Sequence, residues 1–173
     1  MNKVKESNNK SGIPYQGTLT AKIIRNGKVV KKIKKKNTGT LYLFEQLVNC
    51  ILGEDVHNNM PKYLDAGTIA SDLEANVNNF KSSLVLPVYL TGRYKEFVDG
   101  TYWSALFNAF IPFSTIINTE EQVGINAFAL KPDINSPINE ILALVKLNDH
   151  IIINQGESLL IEWRMAFTNV KLD

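Results

Sequence analysis

Apolar and polar positions alternate most regularly over residues 157–168. Leu159, Ile161, Trp163, Met165 and Phe167 share one parity there, and Glu162 and Arg164 share the other. Strict period-two alternation marks a β-strand with one face in a core and one in solvent. Gly156 and the polar residues before it supply the turn that starts this strand. A second alternating run spans 17–25, and 28–36 follows it after Asn26-Gly27. Asn-Gly between two such runs signals a hairpin, because a type I′ turn needs positive φ at both central residues.

An unbroken register from that turn sets Arg25 against Lys28, Ile23 against Val30, Ala21 against Lys32 and Leu19 against Lys34. On the other face it sets Ile24 against Val29, Lys22 against Lys31 and Thr20 against Ile33. Neither face is cleanly apolar. The hairpin 17–36 is therefore expected to project from the body or to lie at a sheet edge, where lysines block unwanted pairing.

The period changes after Asn37-Thr38-Gly39-Thr40. Leu41, Phe44, Leu47, Val48 and Ile51 form one stripe at helical spacing, which predicts a helix over 41–52 with Thr40 as N-cap and Gly53 at C′. Further strands are expected at 63–66, 83–91, 101–111, 122–130, 140–147 and 151–153, the fifth with a helical alternative. Pro87 marks 83–91 as an edge or bulged strand. Residues 54–61, 70–80, 92–100 and 131–137 read as connections, with one helical turn allowed within 70–80. About eight short strands and one helix predict a mainly β domain, a β-sandwich or jelly roll.

Length and composition bound this picture without changing it. A chain of 173 residues with 45% hydrophobic and 21% charged positions can close one core. Residues 1–14 are expected to form a flexible polar arm ahead of a single domain over 15–173. No secretory h-region and no membrane-spanning apolar run is expected. A single cysteine excludes an internal disulfide, and Cys50 is expected to be a small buried hydrophobe.

Charge does change the picture. The net charge is only +2, yet eight Lys or Arg lie within 22–36 with no acid among them. Lys28, Lys31, Lys32, Lys34, Lys35 and Lys36 are the candidate partner-binding residues. They suit an acidic protein surface; an edge-protecting role is the plainer alternative. Without interleaved aromatics, nucleic acid is the less favoured partner. Catalytic chemistry finds no foothold. His57 and His150 lie far apart with no cysteine beside them, so no metal or other cofactor is expected. Adjacent Glu120 and Glu121 point apart on any regular element and read as solvated charges; Asp99-Gly100 reads as a turn. No nucleophile elbow, phosphate loop or dinucleotide fingerprint is present. Trp103, Phe107, Phe110 and Phe113 are candidate cavity aromatics, though core is the commoner role. Tyr89, Tyr94 and Tyr102 are a candidate sugar platform.

Asn37-Thr38-Gly39-Thr40 with Leu43-Phe44 and a short helix resembles virion proteins of tailed bacteriophages. So does the segment from Gly156 to Phe167. The likeness is to small structural proteins of crAss-like phages and extends loosely over 15–170. It implies a non-enzymatic capsid, neck or tail component, located in the virion and assembled with other virion proteins as a ring or homo-oligomer. It carries over no functional residue. A carbohydrate-binding jelly roll and a nucleic-acid-binding β module are the alternatives.

Overall fold

A computed structural model describes residues 15–55, 57–98, 102–116 and 122–167. The expected polar arm, the Asp99-Gly100 turn and the Glu120-Glu121 pair lie outside the described residues. The fold is mainly β, with ten strands in two antiparallel sheets and one α-helix among the described residues. The strands are β1 (Tyr15–Arg25), β2 (Lys28–Gly39), β3 (Tyr63–Thr68), β4 (Lys81–Ser82), β5 (Val88–Tyr89), β6 (Gly92–Val98), β7 (Tyr102–Pro112), β8 (Gln122–Lys131), β9 (Ala143–Asn154) and β10 (Glu157–Phe167). The helix α1 runs Leu41–Ile51.

One sheet has the order β2-β1-β10-β7-β6. The other runs β4-β3-β8-β9, with β5 also on β3. The last two residues of β2, Thr38 and Gly39, leave the first sheet and pair with β9. Inner faces of both sheets meet in one core, with Leu19, Ile161 and Trp163 from the first and Leu64, Phe128 and Ile153 from the second. The alternation in 157–168 is borne out: Leu159, Ile161 and Trp163 are fully buried, and Met165 is nearly so.

The second sheet is also covered on its outer face. Residues 69–80 fold over Ala127, Ala129 and Leu144, burying Ile69 and Phe80. The buried amide of Asn126 holds this cover. It accepts from the Ile69 N–H and donates to the Ile69 carbonyl, both at 2.8 Å. Asn126 sits where β8 and β9 slip register, with Ile125 opposite Ile151 and Ala127 opposite Lys146. Lys146 Nζ in turn donates to the carbonyls of Ala70, Ser71 and Leu73.

The hairpin departs from the expected register and position. Asn26 and Gly27 have φ of 50° and 74°, as a type I′ turn requires. A bulge at Val30 then shifts the pairing to Ile23–Lys31, Ala21–Ile33 and Leu19–Lys35. Ile33 is thereby aligned with Ala21 and packs against the core. β1 is not a projecting element but an interior strand between β2 and β10, with Leu19, Ala21 and Ile23 buried. Only the tip and β2 keep the expected edge character. Among the described residues, the outer edge of β2 is paired only at Thr38 and Gly39.

Two other expectations are corrected. Residues 92–98 form β6 and not a connection, and 143–154 is one bulged strand instead of two pieces. The run 83–91 is broken around Pro87, which has no N–H to give a ladder, and only Val88–Tyr89 is a strand within it.

Candidate functional site

Three surfaces bear on function. The first surrounds α1. Thr40 anchors the helix: its backbone N–H donates to the Leu142 carbonyl at 3.2 Å, and its Oγ1 accepts from the Leu43 N–H at 3.2 Å. The same hydroxyl is within donating reach of the Ile141 and Leu142 carbonyls. Gly53 closes the other end with φ of 80°. The helix therefore starts at a fixed point beside residues 141–142, just ahead of β9, and with a fixed rotation.

That rotation turns most of the predicted apolar stripe away from the body. The body-facing residues are Leu43 and Gln46, both buried, with Leu47 half-buried beside them. Gln46 is satisfied by the Asn59 amide, which donates to Oε1 at 2.8 Å. Leu41, Ile51 and Leu52 are 89%, 75% and 70% exposed, and Val48 is also exposed. At about 100° per residue these four fall in one arc of the helix, with Glu45 at its border. Cys50 is exposed, not buried. It lies on the Leu43 side but one turn beyond Gln46, past the part of α1 that the body covers.

α1 stands between two concavities. One, of about 300 Å³, lies between Leu43 and Leu47 on the helix and Trp103, Phe107 and Met165 on the first sheet. Its lining is nearly all apolar. The other, of about 660 Å³, lies between Leu41, Tyr42 and Glu45 and the loops carrying Val77 and Glu140. It has an acidic side. Burial raises the Tyr42 hydroxyl above its ordinary pKa, and the nearby carboxylates of Glu140 and Glu45 raise it further.

Of the four candidate cavity aromatics, Trp103 and Phe107 line the apolar cavity. Phe110 is exposed, and Phe113 packs against the core. Trp103 is 55% exposed and is flanked by its own neighbours. Lys95 Nζ lies 4.1 Å from its ring centroid, and the Phe97 ring packs on it at 4.8 Å. The candidate sugar platform is not assembled. Tyr89 packs edge-on on Tyr63 at 5.4 Å, Tyr94 borders the apolar cavity, and Tyr102 opens β7.

The second surface is the lysine-rich hairpin. Lys32, Lys34 and Lys36 pair across to Lys22, Thr20 and Thr18, which places them on the outer face of the first sheet. Lys31 and Lys35 fall on the other parity, and Lys35 Nζ donates to Asn148 Oδ1 of β9 at 2.7 Å. Lys28 flanks the turn beside the exposed Val29 and Val30, which are 55% and 51% exposed. The six candidates thus share one strand but divide between two faces and the tip. The turn end of the hairpin is tied to β10 by Arg25, which meets the buried Glu157 carboxylate at 2.5 Å. Burial alone would push the Glu157 pKa up. The Asn154 N–H, the Arg25 guanidinium and the Asn154 amide outweigh it and hold the carboxyl below its ordinary value.

The third region is a buried acid–base cluster around Asp65. Asp65 is buried on β3, accepts from Ser82 Oγ at 2.6 Å and faces Lys131 Nζ at 3.8 Å. Burial raises its pKa; the Ser82 hydrogen bond, the Lys131 charge and a backbone hydrogen bond lower it by less. It reads as the polar tie between β3, β4 and β8. His57 and His150 are both exposed and on separate elements. No group of three or more metal-ligating side chains occurs among the described residues, and no helix there is long and apolar enough to cross a membrane.

Comparison with protein-family models, curated proteins and solved structures finds no match to this chain.

Proposed function

We propose that this chain is a structural subunit that works by assembling with neighbouring chains, without catalysis, and that its setting is a phage particle. The carrying observation is the outward-turned apolar arc of α1. Leu41, Ile51 and Leu52 lie in water while Gln46 is buried beneath them. A contiguous exposed apolar surface on a folded domain marks an interaction site. The apolar cavity beside Leu47 adds a recess for a partner's side chain. The basic edge of β2 supplies a second contact region of opposite character. The phage setting rests on the resemblance carried by residues 37–44 and 156–167.

Sedimentation velocity of the purified chain tests the reading. The 19.4 kDa chain should sediment as species heavier than one copy at micromolar to submillimolar concentration. A single-copy mass throughout that range would overturn self-assembly. Saturable binding to a glycan array by that monomer would move the carbohydrate-binding alternative ahead.

A further inference from the structure

The hairpin tip and α1 sit at opposite ends of β2. That strand spans Lys28 to Gly39 without a break, and α1 begins two residues later. At roughly 3.3 Å per residue, the length of the strand puts the tip up to about 36 Å from the start of the helix. The tip therefore cannot fold back onto its own α1. A contact between the two must join different copies of the chain.

The two ends are complementary. At the tip, Val29 and Val30 are exposed between Lys28, Lys31 and Lys32. The bulge at Val30 turns an apolar side chain outward from an otherwise basic strand. At the other end, Leu41 lines the groove of about 660 Å³ that carries Glu45 and Glu140, and the exposed Val48, Ile51 and Leu52 continue the apolar arc along the helix from it. Residues 41–61 contain Glu45, Glu54 and Asp55 and no Lys or Arg. Among the described residues, none of Lys28, Lys31, Lys32, Glu45 and Glu140 takes part in an ion pair within the chain. A second tip is the wrong occupant for a tip, since lysine would meet lysine. A second α1 would bring carboxylate to carboxylate.

We infer that copies of this chain associate head to tail, with the Lys28–Lys32 tip of one seated in the groove beside α1 of the next, valines against the Leu41 arc and lysines against Glu45 and Glu140. The inference rests on the assembly reading and names its surfaces. Such a contact is heterologous. Its two surfaces lie on opposite ends of each copy, so repetition gives a ring if the rotation closes and a filament if it does not. Its electrostatic part weakens with added salt.

Charge reversal of each end tests it, with the full chain at low salt. Lys28→Glu/Lys31→Glu/Lys32→Glu makes the tip repel its own kind of groove. Glu45→Lys/Glu140→Lys does the same from the other side. Each variant alone should self-associate at least tenfold more weakly than the wild type. An equimolar mixture should regain association, because each reversed surface then finds its complement on the other variant. Circular dichroism melts establish that both variants fold; if either does not, the Lys→Gln and Glu→Gln versions replace it and should weaken association in the same direction. Wild-type association that both reversed variants retain would remove this contact and leave the assembly reading standing. A mixture that stays as weak as its components would likewise remove it. A wild-type chain that is monomeric throughout would overturn both.

Discussion

β10 and α1 are both strongly amphipathic in sequence, yet their apolar faces go to opposite places. The odd positions of β10 enter the core, where Trp163 and Ile161 are fully buried. The apolar arc of α1 enters solvent, and a glutamine occupies the position that a core-facing stripe would fill. The difference lies in what fixes each element. β10 is held on both sides by ladders to β1 and β7, so its parity follows from the sheet. α1 hangs from Thr40, and its rotation follows from the hydrogen bonds of Thr40 to the Ile141 and Leu142 carbonyls just ahead of β9 and from the Leu43 cap. Periodicity reports that a face is apolar. It does not report whose core that face enters.

The comparison breaks first at Trp163. Trp163→Ala should cost about 3–5 kcal/mol, because truncating a buried aromatic loses transfer energy and leaves a cavity. A denaturant midpoint unchanged by the substitution would remove β10 from the core. Next comes Glu157→Gln, which weakens the tie between β10 and the turn end of the hairpin. Losing charge-assisted hydrogen bonds at a buried site should cost about 2 kcal/mol at pH 7. The sign with pH follows from the lowered carboxyl pKa. A group depressed on folding contributes stability above its ordinary value of 4.5, and this is lost as pH falls through the lower folded value. The gap between wild type and Glu157→Gln should therefore close in acid; a gap constant from pH 7 to pH 3 would assign the loss to packing.

On the other side of the comparison the expected stability effects are small. Replacing Lys31, Lys32, Lys34 and Lys35 with glutamine should change folding stability by less than about 1 kcal/mol, as at most exposed positions. A thermal melt reads this, and a large loss would make the lysine heads structural. Leu41→Ser with Ile51→Ser should change it by about 0.5 kcal/mol or less, since neither side chain leaves a buried site. The pair should nonetheless weaken self-association measured by sedimentation. Destabilisation on the scale of Trp163→Ala would mean that the arc is part of the chain's own core.

Much of the frame was legible in the residues. The parity of β10, the Asn26-Gly27 turn and the Thr40 and Gly53 ends of α1 follow from local chemistry, and local chemistry fixes them in the structure. β6 was not legible, because both its faces are mixed. Glu96 reaches across to Arg164 at 2.7 Å on one face, and Lys95 and Phe97 meet Trp103 on the other. The hairpin register failed at one residue. A bulge at Val30 leaves no mark in a run of valines and lysines, yet it moves every later pairing by one. The groove beside α1 was invisible for a different reason: Leu41, Val77 and Glu140 meet only through the tertiary fold.

Amide hydrogen exchange at several protein concentrations tests the central claim most directly, because it reads both regions in one sample. β10 should be strongly protected at every concentration, as befits a core strand. Protection in α1 and at the Lys28–Lys32 tip should be weak in dilute solution and rise together as concentration increases. Protection in α1 that stays the same from dilute to concentrated solution, or that matches β10 throughout, would contradict the claim that its apolar face is built for another copy of the chain.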